Sequence, residues 1–123
     1  MNPFGYSAEI WRLFQETPRA GRLEGAGVLC AEATTPASRS RLRLQVKMAA
    51  SRIADARFQA YGCPTTIAVG AYLAGAVVGR DAAGLPGIDA KSIREALEIP
   101  EDRTHCALLG EDAVKALLSQ VSR

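Results

Sequence analysis

Eight consecutive residues, 41–48, alternate strictly between polar and apolar side chains. Leu42, Leu44, Val46 and Met48 are the apolar positions, and an arginine, glutamine or lysine precedes each of them. Because successive side chains of a strand point to opposite faces, the pattern predicts a strand with one buried face. Such a strand needs neighbouring strands and a covering layer, so this segment constrains the fold more than any other.

The segment 52–61 predicts an antiparallel partner for this strand, because only a short turn at 49–51 separates the two. Glycine, cysteine and proline at 62–64 end the hairpin. The residues that we expect on the buried face of the partner strand are Ala54, Ala56, Phe58 and Ala60. Residues 19–39 are rich in Gly, Ala, Ser and Thr without a clear period, and we interpret them as a long loop.

Apolar residues at helical spacing predict helices on both sides of this hairpin. One helix covers 6–16 and ends at Thr17, which precedes a proline. A second begins at Pro64 and runs to about residue 79, since proline suits the first position of a helix. A third, short helix follows a cap at Asp89.

The C-terminal segment predicts helical structure from Thr104 onward. Gly110 is a candidate kink there, and Glu111 and Asp112 carry charges that suit a new helix start. Helices that flank one small antiparallel sheet of about three strands define the α+β class. At 123 residues the chain has the length of one domain, so we expect a single domain over residues 1–123.

The distribution of charged and apolar residues limits the cellular location and the binding partners that we expect. The longest segment without a charged residue, 58–79, is too interrupted by glycine and proline to predict a membrane span. The N-terminus lacks a basic region followed by an apolar run, so we expect no secretory signal and a cytoplasmic location. The basic residues along 39–52 lack the interleaved aromatic residues typical of nucleic-acid binding, which we do not expect.

The chain has three cysteines and one histidine, and an odd number of cysteines without an export signal favours free thiols or metal ligands. Cys63 and Cys106 fall at predicted helix starts, where backbone N–H groups lower the pKa of a thiol and favour the metal-binding thiolate. His105 directly precedes Cys106, and zinc and iron accept mixed imidazole and thiolate ligands. An inert buried thiol at Cys63 is the competing interpretation.

Short motifs spread along the chain match one family in their order and approximate spacing. They are the Tyr6-Ser7 pair, the Pro18-Arg19-x-Gly21-x-Leu23 turn, the Leu44-Gln45-Val46-Lys47 strand, Gly62-Cys63 at the end of the run 53–63, and Thr104-His105-Cys106-Ala-Leu-Leu-Gly-Glu-Asp-Ala-Val-Lys-Ala. Together they resemble the IscU/NifU N-terminal-type scaffolds of iron–sulfur cluster assembly. Each motif alone is weak, whereas the set is specific.

The resemblance implies a SufE/IscU-like fold and a carrier protein rather than an enzyme. Scaffolds of this family receive persulfide sulfur from a cysteine desulfurase, combine it with iron into a [2Fe–2S] cluster and pass the cluster on, and they often hold zinc. The resemblance implies Cys63, His105 and Cys106 as cluster or metal ligands, with Cys106 as the candidate sulfur acceptor. It also implies a frataxin-like protein, a ferredoxin or apo iron–sulfur acceptor proteins as partners.

Two segments depart from the family pattern. The family's first-loop cysteine and aspartate are replaced by Ser38 and Ser40, and serine hydroxyls are poor ligands because metal ligands are usually deprotonated. Cys30, eight residues before Ser38, is either a replacement third thiolate or a bystander. The family's Leu-Pro-Pro-Val-Lys segment, recognised by an Hsp70-type chaperone, is 99–103 here and contains two acidic residues, which argues against that handoff.

Two other functions stay open at this point. A regulatory or interaction protein would keep the scaffold fold and the desulfurase-docking surface without assembling a cluster, and the serines at 38 and 40 motivate it. A thiol hydrolase with Cys106 as nucleophile and His105 as base is the weakest of the three. Neighbours on one helix form a poor nucleophile–base pair, and the sequence offers no orienting acid.

Overall fold

A computed structural model describes residues 5–35 and 39–121. In chain order its elements are α1 (Ala8–Glu16), β1 (Val28–Thr35), β2 (Ser40–Ala49), β3 (Arg52–Tyr61), α2 (Pro64–Ala76), α3 (Ala90–Leu97) and α4 (Thr104–Val121), with short 3₁₀ segments at Ala82–Gly87 and Glu101–Arg103. The strands form an antiparallel sheet in the order β1-β2-β3 with helices packed on it, which confirms the α+β prediction. Within these described ranges, no helix combines the length and the apolar character needed to cross a bilayer.

The predicted hairpin of β2 and β3 is confirmed, but the buried face of β3 differs from the prediction at its start. Met48 pairs with Ile53, whereas the preceding residue of β2 pairs two positions farther along β3, so Ala54 is a bulge residue. Because side chains alternate along a strand, the bulge buries Ile53 and leaves Ala54 exposed. Ala56 and Phe58 are buried as expected.

The interpretation of 19–39 as a loop is wrong over 28–35, which form the edge strand β1. This strand pairs with β2 along its whole length. Ala31 is buried and Leu29 and Ala33 are partly buried on the same face, but two of these three are small alanines, so the hydrophobic signal is weak. Its formation depends on the ladder offered by β2, and the local sequence does not encode that partner.

The core lies between the sheet and helices α2 and α4. Leu42, Leu44 and Val46 of β2 are fully buried there, because α2 packs on β2 and β3 while α4 packs on β1 and β2. Gly70 of α2 faces the sheet, and a Cβ at this position would lie only 2.5 Å from a ring carbon of Phe58. The helix therefore lies closer to the sheet than any residue with a side chain would allow.

Helix α4 is continuous from Thr104 to Val121, so the new helix start predicted at Glu111 is wrong, whereas the kink at Gly110 stays a prediction. Gly110 permits a close approach of α4 to α2. A Cβ at Gly110 would lie 2.7 Å from Cγ1 of Val69, well inside the contact distance of two carbon atoms. Glycine in this helix thus serves packing between helices.

The helix starts predicted at Pro64 and Asp89 are confirmed. Asp89 closes a capping box, in which its Oδ1 accepts a hydrogen bond from the Ser92 N–H at 2.8 Å and its own N–H donates to the Ser92 hydroxyl at 3.0 Å. Ser7 caps α1, and its hydroxyl also donates to the carbonyl of Leu97 at 2.6 Å. That bond ties the N-terminal helix to the end of α3.

The outer face of the sheet carries pairs of opposite charge. Arg43 and Arg41 both pair with Glu32, at 3.0 and 3.3 Å, and Arg19 pairs with Asp55 at 2.9 Å. Exposed ion pairs of this kind contribute little to stability. They do offset part of the positive charge that the sequence places along β2.

Candidate functional site

The two helix starts that carry Cys63 and Cys106 meet in space. Cys63 follows the end of β3 and is the residue that precedes α2, whereas Cys106 lies in the first turn of α4. Their Sγ atoms are 3.9 Å apart. Cys63 is half-buried and Cys106 is only 1% exposed, so one sulfur of the pair is open to reactants and the other lies beneath it.

Gly62 makes the turn from the sheet into this site. Its φ of +154° favours glycine, and a Cβ at Gly62 would lie 3.0 Å from the hydroxyl of Ser40 and from the Cβ of Thr66. Ser40, at the position of the family's aspartate, is therefore buried against the turn that carries Cys63. Ser38, at the position of the family's first-loop cysteine, lies outside the described residues.

Thr66 lies between the two sulfurs. Its Oγ1 is 3.6 Å from Sγ of Cys63 and 3.5 Å from Sγ of Cys106, and the residue is 1% exposed. Thr66 is not among the site residues predicted from the sequence. A hydroxyl three positions after a cysteine at a helix start was the available signal, since such a side chain points back toward the preceding turn.

The two thiols have opposite pKa shifts. The pKa of Cys63 is lowered to about 4, first because the Cys106 thiol donates a hydrogen bond to its thiolate, and then by the backbone N–H groups and hydroxyl at the start of α2, against the effect of burial. The pKa of Cys106 is raised, because the bond to Cys63 holds its proton and burial disfavours its thiolate. These opposite shifts favour a thiolate at Cys63 and a thiol at Cys106.

Arg103 supplies positive charge at the open side of the pair. Burial lowers its pKa, but the charge of Cys63, the neighbouring Tyr6 and a hydrogen bond to Cys63 together raise it. The guanidinium lies 5.8 Å from the centroid of the Tyr6 ring, which in turn stacks on Trp11. In the sequence Arg103 is only the last residue of the altered chaperone segment, yet its side chain belongs to this site.

His105 occupies the first turn of α4 and is exposed. Among residues 5–35 and 39–121, no group of three or more histidine, cysteine, aspartate or glutamate side chains has the arrangement of a metal site. The fold thus brings the two predicted sulfurs together, while the imidazole next to Cys106 lies on the surface. Its role as a ligand stays a prediction.

Cys30 lies in a strand and not in the loop predicted from the sequence. It is an exposed residue of β1 and pairs with Gln45 in the middle of the ladder. For Cys30 to reach the site as a third thiolate, β1 would have to leave the sheet. The flexible loop on which that idea depended is a strand.

Comparison with known proteins places this geometry in a family. The model of the NifU-like N terminal domain matches residues 5–122. The IscU scaffold protein of iron–sulfur cluster assembly from Haemophilus influenzae is 31% identical over 121 residues, which cover 93% of each chain. The IscU scaffold protein of Escherichia coli K12 is 36% identical over 85 residues, which cover 68% of this chain and 66% of that protein.

Solved structures show the same fold. A candidate scaffold of the SUF system from Fervidobacterium islandicum AW-1 superposes with a TM-score of 0.70 at 18% identity, covering 89% of this chain and 93% of that one. The N-terminal part of a NifU-like protein from Brucella abortus superposes with a TM-score of 0.61 at 19% identity, covering 94% and 82%. The chain therefore belongs to the NifU-like N-terminal domain family, the IscU/NifU type that its motifs resemble.

Proposed function

We propose that this protein is an iron–sulfur cluster assembly scaffold that receives persulfide sulfur from a cysteine desulfurase at the Cys63–Cys106 pair. The observation that supports this proposal most directly is the 3.9 Å separation of the two sulfurs at the start of two helices. Helix starts stabilise thiolates, and the thiolate is both the nucleophile toward a persulfide and the ligand for iron. The family membership supports the same function.

Sulfur enters at Cys63 in this proposal. The sequence motif suggested Cys106 as the acceptor, but Cys106 is 1% exposed, whereas Cys63 is half-buried and lies beside Arg103. An incoming persulfide on another protein must bring its outer sulfur within bonding distance of the attacking thiolate. Cys63 offers that access without a rearrangement of α4, and Cys106 then serves as the second sulfur.

Iron, or a [2Fe–2S] cluster, is the cargo of the site. Cys63 and Cys106 would supply two thiolates, and His105 would supply an imidazole once its exposed side chain turns toward them. Ser40 supplies a buried hydroxyl where the family pattern has a carboxylate. A site with at most three protein ligands keeps a position open for a partner's ligand, which suits transient holding of iron, zinc or a cluster.

The partners in this proposal are those of an assembly scaffold in the cytoplasm. A cysteine desulfurase delivers sulfur, a frataxin-like protein or a ferredoxin assists, and apo iron–sulfur proteins receive the product. The acidic residues Glu101 and Asp102 are exposed in the 3₁₀ segment that replaces the family's chaperone motif. Handoff through an Hsp70-type chaperone is therefore left out of the proposal.

Anaerobic reconstitution tests the function. The reduced protein is mixed with a cysteine desulfurase, L-cysteine and ferrous iron, and visible absorbance and native mass spectrometry report cluster and persulfide. We expect both on the wild type and on Cys30→Ser, a control that removes a thiol from the outer face of β1. We expect neither a stable cluster nor normal sulfur uptake on Cys63→Ser. Equal cluster formation by Cys63→Ser and Cys30→Ser would reject the proposal.

A regulatory protein of the same fold is the second candidate, and Ser40 at the aspartate position is the observation that favours it. Such a protein would bind the desulfurase through its surface and change the enzyme's turnover without using its thiols. The double variant Cys63→Ser/Cys106→Ser separates the two functions. If this variant changes desulfurase turnover as the wild type does, the regulatory function replaces the scaffold.

A further inference from the structure

We propose that Cys63 and Cys106 close to a disulfide when sulfur is released, so that the pair itself supplies the two electrons that convert a bound persulfide into sulfide. The inference rests on the proposed function, because it needs a persulfide at Cys63. It goes further in naming the source of the electrons. Iron–sulfur clusters contain sulfide, whereas the outer sulfur of a persulfide is two electrons more oxidised, so a reduction must occur between delivery and assembly.

The step balances within one chain. Cys106 first loses its thiol proton, and its thiolate attacks Sγ of Cys63, forms the disulfide bond and breaks the bond between that Sγ and the outer sulfur. The outer sulfur leaves as hydrosulfide with the electron pair of the broken bond. The two cysteine sulfurs are oxidised to a disulfide while the outer sulfur is reduced to sulfide. A thiol reductant must reopen the disulfide before the pair can bind iron as thiolates or accept sulfur again.

Attack at the other sulfur leads to the same products. If Cys106 takes the outer sulfur from Cys63, the persulfide moves to Cys106 and Cys63 regains its thiol. Cys63 then attacks Sγ of Cys106, and hydrosulfide leaves as before. The inference therefore holds for either cysteine as the carrier of the persulfide.

The geometry of the pair suits this closure. The two Sγ atoms are 3.9 Å apart, and a disulfide bond is about 2.05 Å long, so side-chain rotation must cover about 2 Å. Each thiol is in the first turn of its helix or just before it. Oγ1 of Thr66 contacts both sulfurs and can hold a proton near the leaving hydrosulfide. Arg103 beside Cys63 favours the developing negative charge.

The number and the positions of the cysteines leave Cys63 and Cys106 as reaction partners of each other. The only other cysteine of the sequence, Cys30, is exposed on β1, whose outer face lies across the sheet from α2 and α4. After Cys63 has accepted sulfur, Cys106 is thus the one thiol of the chain within reach. It is also 1% exposed, so small thiols in solution reach it poorly, which leaves its neighbour as its natural reaction partner.

A single-turnover experiment tests the inference. The reduced protein is loaded by a cysteine desulfurase and L-cysteine without iron, the small molecules and the enzyme are removed, and no reductant is added. We measure released sulfide, and intact mass after alkylation reports persulfide, free thiol and disulfide. For the wild type and Cys30→Ser we expect sulfide and disulfide in equal amounts, with a rate independent of protein concentration. Release that rises with protein concentration would indicate attack between chains and overturn the inference.

The Cys106→Ser and Cys106→Ala variants separate this inference from the proposed function. We expect both variants to accept sulfur at Cys63 and to keep it as a persulfide, with sulfide released at least tenfold more slowly than from the wild type. Circular dichroism selects the variant that retains the fold. A wild-type persulfide that persists without disulfide formation overturns the inference and leaves the scaffold function standing. No persulfide on any variant that keeps Cys63 removes the scaffold function itself.

Discussion

Replacing Gly70 by alanine tests how tightly α2 is held against the sheet. The added Cβ would lie 2.5 Å from Cδ2 of Phe58, 2.9 Å from Cδ1 of Leu42 and 3.0 Å from Cε2 of Phe58. Carbon atoms in contact are separated by about 3.5–4.0 Å, so the ring must move by about 1 Å or α2 must lift from the sheet. Phe58 is 3% exposed and Leu42 is fully buried, so neither can move into solvent.

The change in the free energy of unfolding that we expect for Gly70→Ala is the balance of two opposing effects. Alanine is favoured over glycine inside a helix by about 0.8–1.0 kcal/mol, whereas an extra methyl group in a packed core costs about 1–3 kcal/mol. Because the added Cβ would lie about 1 Å too close to a buried ring, we expect a packing cost in the upper part of that range. The net change in the free energy of unfolding is then a loss of about 1–2 kcal/mol.

Gly75 provides a matched control on the same helix. It is exposed, and a Cβ there would meet no atom within 4 Å. Gly75→Ala should therefore gain the helix propensity alone, up to about 1 kcal/mol. The difference between the two variants isolates the packing cost, about 2–3 kcal/mol, because the propensity cancels.

Urea unfolding provides the measurement. The single tryptophan, Trp11 of α1, reports through fluorescence because α1 packs on α2, and circular dichroism reports the helices. Equal unfolding free energies for Gly70→Ala and Gly75→Ala would show that α2 does not lie as close to Phe58 as 2.5 Å implies. That result would refute the packing argument.

Three further predictions address the helix caps and the thiols. Asp89→Ala should lower the free energy of unfolding by about 1 kcal/mol in urea titrations, because the bond to the Ser92 N–H at 2.8 Å is lost. In the reduced, metal-free protein, the rate at which Cys63 is alkylated, measured by mass spectrometry, should stay nearly constant as the pH falls from about 7 to about 5. The rate should fall only near the pKa of Cys63, about 4. A tenfold loss of rate per pH unit between about pH 7 and about pH 5, as for an ordinary thiol, would contradict the lowered pKa. Thr66→Val keeps the shape of the residue but removes the hydroxyl that contacts both sulfurs, so it should move the alkylation profile of Cys63 to higher pH, and an unmoved profile would exclude a role for the hydroxyl.

The hairpin and the helix starts could be predicted because their signals are local. The alternation along 41–48 sets the inner face of β2, and a proline at 64 and an aspartate at 89 mark helix starts by their own backbone chemistry. The bulge at Ala54 could not be predicted in this way. It arises because the turn and the two ladders must fit together, and the side-chain pattern of β3 alone is compatible with either register.

Strand β1 could not be predicted because its stability comes from its partner. Its inward face carries Leu29, Ala31 and Ala33, of which two are small alanines, so the hydrophobic signal of the strand is weak. The backbone of β2 offers a free edge, and pairing there satisfies the N–H and C=O groups of both strands. This same pairing fixes Cys30 in the ladder and removes it from the region of the other two thiols.

The separation of the two sulfurs is a tertiary quantity, and glycine sets it. Gly70 lets α2 lie close to the sheet, and Gly110 lets α4 lie close to Val69 and Leu73 of α2, with distances of 2.7 and 3.2 Å from a hypothetical Cβ. Each contact fixes one side of α2, so together they fix the position of its start relative to that of α4. The two Sγ atoms, 3.9 Å apart, must approach by about 2 Å to form a disulfide, so a shift of about 1 Å in either contact is half of that movement. Substitutions at Gly70 or Gly110 should therefore alter the reactivity of Cys63, although neither glycine contacts its sulfur. Packing in the core thus sets the geometry of the thiol pair.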